Sequence, residues 1–164
     1  MIVVSGQLEP WKIPSEDGLG EVNALDQNVL GATLGRPDYL QVTHEPAAVD
    51  SLYIKLSDDM ARNVCNNMIS TDAVESDATK RELTRFIAND ETQDNAAINE
   101  NLRYLTLRFH GRNVTDDAGV SELRTVFDGA VASEEDIPSG STLALEGWRT
   151  VCIALLKSPA FHVY

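Results

Sequence analysis

The chain has 164 residues, of which 43% are hydrophobic and 24% charged, a composition typical of one globular domain rather than of a disordered or fibrous protein. Thirteen basic residues against 26 acidic ones give a net charge of −13, which opposes binding to nucleic-acid phosphates and to anionic membrane surfaces. No apolar run approaches the roughly 20 residues of a membrane span.

The N-terminal residues 1–20 are predicted to form an irregular arm, because Pro10 and Pro14 interrupt any periodic pattern. Trp11 is expected to anchor this arm on the rest of the protein. Met1–Val4 is too short for the core of a signal peptide and has no basic residue before it. The chain is therefore either cytosolic or the mature part of an exported protein.

From Glu21 onward, apolar residues recur at helical spacing between glycine and proline stops. The pattern predicts an all-α fold, a single-domain bundle of about six helices that spans residues 21–164 after the irregular arm. The predicted helices lie near residues 21–34, 51–69, 78–88, 96–110, 116–131 and 142–157.

The helix near 51–69 has the clearest apolar pattern of the N-terminal half, with Met60, Val64 and Met68 in one row and Cys65 in the next. A methionine row can bind metal or haem, but methionine more often fills irregular helical cores. We therefore interpret this face as core. The polar residues 70–77 that follow predict a loop, and Leu83, Phe86 and Ile87 give the predicted helix near 78–88 its apolar, inward-facing side.

The C-terminal third carries the most detailed helical signals. Asp94 or Asn95 is expected to cap one helix that Gly111 ends, and Thr115 is expected to cap the next. The last helix begins near Ser141 or Thr142, and Ser158-Pro159 is expected to stop it. The apolar positions that we expect to be buried in this region are Ile98, Leu102, Leu105, Phe109, Val120, Leu123, Phe127, Ala130, Leu145, Trp148, Val151, Cys152, Leu155 and Leu156.

No catalytic, cofactor-binding or metal-binding signature is present in the sequence. The haem-attachment pattern Cys-x-x-Cys-His is missing, and the two cysteines and three histidines lack the spacing of zinc ligands. Asp58-Asp59 and Asp116-Asp117 do not lie in the calcium-binding Asp-x-Asp-x-Asp-Gly frame. The sequence thus predicts no catalytic residue, no cofactor and no metal.

The C-terminal part, about residues 98–164, resembles the small helical domains of unknown function found in large secreted planctomycete-type cytochrome c proteins and their proteobacterial relatives. The resemblance is carried by Phe109–Arg112, Thr115–Asp117, Leu123, Phe127, Trp148, Ala154-Leu155-Leu156, Ser158-Pro159 and Phe161. Asn113-Val114 replaces the proline that usually follows the second arginine in those domains. The resemblance implies an accessory helical module that is periplasmic or otherwise exported, and it transfers no catalytic residue.

Export makes a disulfide between Cys65 and Cys152 plausible, because oxidising compartments allow such bonds and both residues fall on inward-facing stripes. We predict that this bond ties the central helix to the final one. Two separate buried thiols are the alternative.

Two functions follow from these observations. The first is a non-catalytic accessory or interaction subunit of an exported assembly, with redox or surface proteins as partners, which docks through its acidic surface onto a protein with a basic face. Trp11, Phe161 and Tyr164 are its candidate interface aromatics. The second is an enzyme or small-ligand-binding bundle with a site around Arg108, His110, Arg112 and Trp148. The acidic clusters that would supply the docking field are Glu16-Asp17, Asp58-Asp59, Asp90-Glu91 and Glu134-Glu135-Asp136.

Overall fold

The computed structural model describes residues 12–14, 20–23, 51–133 and 141–162, and this part of the chain is mostly helical. It contains two short strands, five α-helices and two 3-10 turns. The strands are β1 (Lys12–Pro14) and β2 (Glu21–Asn23), and the 3-10 turns are Ala78–Lys80 and Ala118–Val120. The helices are α1 (Ser51–Val74), α2 (Asn95–His110), α3 (Ser121–Ala132), α4 (Leu143–Lys157) and α5 (Pro159–His162).

The chain divides into two compact units, Met1–Val64 and Cys65–Tyr164, and helix α1 runs through the division. This division lies elsewhere than the predicted boundary between an arm of residues 1–20 and a domain of residues 21–164, which stays a prediction. None of the helices in the described ranges combines the length and the apolar character that a membrane crossing requires.

In the first unit, β1 and β2 pair antiparallel, with Ile13 opposite Val22. The predicted helix 21–34 is therefore wrong at its start, because Glu21–Asn23 is extended, and its remainder lies outside the described residues. The predicted irregular arm likewise contains a strand. In the part of α1 that belongs to this unit, the Asp58 carboxylate pairs with Arg62 at 2.7 Å and the Asp59 carboxylate with Lys55 at 2.5 Å.

Helix α1 continues five residues beyond the predicted end at Ile69, to Val74. The polar residues Ser70, Thr71 and Asp72 made this last turn look like a loop in the sequence. Thr71 donates its hydroxyl to the carbonyl of Asn67 at 2.9 Å, and Asp72 continues the row of Val64 and Met68 at a spacing of four. Asp72 is fully buried, so this row remains an inward face although its last member is a carboxylate.

The predicted helix 78–88 is wrong, since only the 3-10 turn Ala78–Lys80 forms there. Leu83 and Ile87 are buried as expected. However, the backbone N–H groups of residues 82–84 donate to the Asp72 carboxylate instead of to helical carbonyls. An α-helix would need those same groups, so the buried acceptor replaces the helix locally.

Helix α2 has the predicted ends. The Asp94 carboxylate accepts hydrogen bonds from the N–H groups of Ala96 at 3.0 Å and Ala97 at 3.1 Å, as an N-cap does. Gly111 ends the helix with φ 63°, a left-handed conformation that glycine adopts without strain. The expected stripe of Ile98, Leu102, Leu105 and Phe109 is buried.

Helix α3 begins five residues later than the predicted position 116, after the 3-10 turn Ala118–Val120. Thr115 does not cap it. Instead, the Asp116 carboxylate accepts the N–H of Gly119 at 2.9 Å, and Asp117 pairs with Arg103 of α2 at 2.5 Å. Of the four residues expected to be buried here, Val120 and Phe127 are buried, whereas Leu123 and Ala130 are partly exposed.

Helix α4 confirms the predicted element at 142–157, and the Thr142 hydroxyl accepts the N–H of Leu145 at 3.2 Å as its cap. The apolar residues of α4 that we expected to be buried are buried, namely Leu145, Trp148, Val151, Cys152, Leu155 and Leu156. Ser158-Pro159 ends α4 as predicted, but Pro159 also begins the four-residue helix α5. Proline suits the first position of a helix because the missing N–H has no intrahelical partner there.

The packing of α3 against α4 gives a direct test at glycine positions. A Cβ on Gly147 would lie 2.7 Å from Cε2 of Phe127, whereas one on Gly129 would meet nothing within 4 Å. We expect Gly147→Ala to destabilise the fold by about 1–2 kcal/mol, since overpacking outweighs the gain in helix propensity. The matched change Gly129→Ala should stabilise by about 0.5–1 kcal/mol. Urea unfolding of both variants measures this, and two changes of the same sign would contradict the described packing.

Candidate functional site

The four residues proposed for an enzyme or ligand site have separate local partners. Trp148 is fully buried and packs on Phe127, with ring centroids 4.6 Å apart. His110 Nε2 lies 3.0 Å from the carbonyl oxygen of Leu155, which can only accept, so this nitrogen carries the proton. These contacts suit Trp148 to a role in the core and His110 to a role in holding the C-terminal end of α4.

The two arginines of that set also bind neighbouring groups. Arg112 donates to the carbonyl of Gly119 at 3.2 Å from an exposed position. Arg108 forms an ion pair with Glu82 and donates to the hydroxyl of Tyr104 at 2.7 Å. The contacts of the four residues therefore give no common point at which reacting groups would meet.

Cys65 and Cys152 form the predicted disulfide, which joins α1 to α4 with their Cα atoms 5.9 Å apart. Both residues are completely buried. A bonded, buried sulfur offers no thiolate for nucleophilic chemistry. Within the described ranges, no three side chains of the metal-binding types come together.

The buried Asp72 carboxylate is the centre of a hydrogen-bond network. It accepts the backbone N–H groups of Glu82 at 2.8 Å, Leu83 at 2.7 Å and Thr84 at 2.9 Å. Three donors on one carboxylate satisfy a charge that would otherwise be costly to bury. Asp72 thus fixes the segment that follows α1.

Two asparagines extend this network to α2 and α4. Buried Asn101 donates to the carbonyl of Leu83 at 2.7 Å and accepts the N–H of Phe86 at 3.2 Å. The side-chain amide of Asn89 donates to the backbone carbonyl of Asp72 at 2.9 Å. The backbone carbonyl of Asn89 accepts a hydrogen bond from the Thr142 hydroxyl at 2.7 Å. Residues 82–89 are therefore held by side chains from α1 and α2 and by the residue that caps α4, although they form no helix.

Residues 82–89 and helix α2 together present a surface cluster that we call the arginine–aromatic patch. It consists of Arg85, Phe86, Tyr104 and Arg108, with Glu82 at its edge. Phe86 and Tyr104 meet edge to face at 5.4 Å. The guanidinium of Arg85 lies 5.8 Å from the Tyr104 ring centroid and that of Arg108 lies 6.0 Å from it. Partial burial raises the pKa of Glu82 above its ordinary value, although Arg108 opposes this shift.

Five ion pairs hold most cations of the second unit against neighbouring carboxylates. The pairs are Lys80–Asp77, Arg103–Asp117, Arg108–Glu82, Arg124–Asp128 and Arg149–Glu146. By contrast, Asp90, Glu100 and Glu122 are exposed and form no ion pair within the described residues. We call these three residues the uncompensated carboxylates.

The acidic clusters seen in the sequence differ in the groups that their carboxylates contact. Asp58 and Asp59 are each matched by a cation one turn away. Glu91 accepts backbone N–H groups of Gln93 and Asp94, and these bonds lower its pKa. Glu16-Asp17 and Glu134–Asp136 lie outside the described residues. Asp90 is exposed and, within the described residues, has neither a paired cation nor a backbone N–H donor.

The candidate interface aromatics can be placed only in part. Phe161 is partly exposed, and its ring centroid lies 6.4 Å from that of buried Phe109. Trp11 and Tyr164 lie outside the described residues.

The arginine–aromatic patch was missed by sequence reasoning, which assigned Phe86 to the buried face of a helix. Phe86 is in fact 46% exposed. The available signal was Asp72, a carboxylate at the inward spacing of α1 that needs donors from elsewhere in the chain.

No family model matches this chain, and neither the curated proteins nor the solved structures compared with it give a match.

Proposed function

We propose that this chain is a non-catalytic interaction module of an exported assembly, and that it docks through its acidic surface onto a protein partner with a basic face. The observation that carries the proposal is the distribution of ion pairs. Among the described residues of the second unit, ion pairs already neutralise most cations, and the uncompensated carboxylates remain exposed, so they contribute unscreened negative charge to a chain whose net charge is −13.

Such a field attracts a basic partner over distances of about 8 Å at physiological salt and speeds association. It contributes less to affinity, which depends on apolar anchors buried at the centre of an interface. Partly exposed Phe161 is one such anchor, and Trp11 and Tyr164 remain candidates.

Export is supported by the Cys65–Cys152 disulfide, because such bonds persist in oxidising compartments and are rare in the cytosol of most organisms. An assembly that includes redox proteins is proposed from the resemblance of residues 98–164 alone. The enzyme or ligand-binding alternative around Arg108, His110, Arg112 and Trp148 has less support, since the local contacts of these residues suit structural roles.

The test is to isolate the native complex from its source and to measure the affinity of its components between about 0.05 and 0.5 M salt. We expect the dissociation constant to rise at least tenfold, because salt screens exposed charges. An affinity that does not change over this range would exclude docking by the acidic surface. A chain that purifies from its source without any partner would exclude an interaction module altogether.

A further inference from the structure

The arginine–aromatic patch brings two guanidiniums together with apolar area that is fixed in place. Phe86 is 46% exposed, yet Asn101 accepts its backbone N–H and Tyr104 contacts its ring. Leu107 is 49% exposed and follows Tyr104 by three positions on α2, so the two side chains neighbour each other on the helix. A fixed aromatic loses little conformational entropy when a partner covers it.

The cations of the patch point to the chemistry of that partner. The guanidinium of Arg85 lies over the Tyr104 ring and makes no side-chain hydrogen bond or ion pair in the described part of the chain. Its five N–H donors lie in one plane and can therefore meet a planar acceptor. A carboxylate matches this donor geometry with two parallel hydrogen bonds.

Charge selects among the classes of partner. Within the patch, Arg108 is paired with Glu82, so the guanidinium of Arg85 is the charged group that is left to bind a partner. A nucleic acid needs several cations at once to neutralise its phosphates, whereas this patch offers two, of which Arg108 already pairs with Glu82. A basic segment would meet the positive charge of Arg85. An acidic segment with an apolar side chain fits both the exposed rings and the donors.

We propose that the arginine–aromatic patch binds a segment of a partner protein in which an aspartate or glutamate stands next to an aromatic or leucine side chain. The carboxylate pairs with Arg85, and the apolar side chain packs on Phe86 and Leu107. This site prefers the opposite charge to that preferred by the acidic docking surface, and the two adjoin, since exposed Glu100 lies one helical turn before Tyr104 on α2.

The test uses an array of immobilised hexapeptides that pair Asp or Glu with Phe, Tyr or Leu. Each peptide is accompanied by a version with Asn or Gln and a version with Lys at the acidic position. The labelled, oxidised chain should be retained at least tenfold better by the acidic peptides than by either version. Equal retention of the amide or lysine versions, or no retention of any peptide, would overturn the proposal.

Variants locate the binding on the protein. Arg85→Gln and Phe86→Ala should each reduce retention at least tenfold, and Arg85→Lys should fall between wild type and Arg85→Gln because it keeps the charge but loses the planar fork. Lys80→Gln and Val74→Ala are matched controls at exposed positions that are not part of the patch, and they should retain the peptides as wild type does. Circular dichroism checks that each variant is folded, and undiminished retention by folded Arg85→Gln would contradict the assignment.

Discussion

Reduction of the Cys65–Cys152 disulfide is expected to lower the free energy of unfolding by about 4 kcal/mol. The bond joins residues 87 positions apart, and closing so long a loop removes much of the conformational entropy of the unfolded chain. Because domains of this size are typically stable by about 5–15 kcal/mol, such a loss is a large part of the total. Guanidinium unfolding with and without dithiothreitol measures the change in one and the same sequence.

The double variant Cys65→Ala/Cys152→Ala is the matched control for this experiment. It should unfold at the same denaturant concentration with and without reductant, at or below the midpoint of reduced wild type. Two alkyl groups taken up by denatured but unreduced wild type would show that the bond is absent, and the expected uptake is zero.

Asp72→Asn is expected to destabilise the protein by about 3–5 kcal/mol, since an amide offers one acceptor where three backbone N–H groups converge and brings donors of its own. The site is fully buried, so water cannot replace the lost acceptor without opening the structure. Thr84 would lose a partner as well, because its hydroxyl lies 3.3 Å from the same carboxylate. Urea unfolding measures the effect.

The control Asp90→Asn removes one negative charge from an exposed position nearby in the sequence, and its effect should stay within about 0.5 kcal/mol. Comparison of the two variants separates the buried hydrogen bonds from the change in net charge. Equal stabilities of Asp72→Asn and Asp90→Asn would contradict the role assigned to the network.

Helices whose ends and buried stripe are both encoded locally could be predicted from the sequence. In α2, the Asp94 cap, the apolar stripe and Gly111 agree, and all three are found where the pattern places them. Helix α4 is similar, with its Thr142 cap and its row through Trp148 and Cys152. The Cys65–Cys152 pair also followed from inward spacing combined with the resemblance.

The segment from Ser70 to Asn89 could not be predicted because its structure depends on partners distant in the sequence. Asp72 reads as a surface residue until its donors 10–12 positions later are known, and Asn101 stabilises the same segment from another helix. Propensity alone therefore favoured a helix over residues 78–88. The arginine–aromatic patch was missed for the same reason, since the predicted helix would place Phe86 on its inward-facing side.

The central claim, that exposed acidic groups attract a basic partner, is tested most directly by association kinetics with the purified native partner. Asp90→Asn/Glu100→Gln/Glu122→Gln neutralises the uncompensated carboxylates, whereas Asp59→Asn/Asp117→Asn/Asp128→Asn removes the same charge from carboxylates that already pair with cations. At low salt the first triple variant should associate at least tenfold more slowly than wild type and clearly more slowly than the second. Equal association rates for wild type and the first variant would contradict the account.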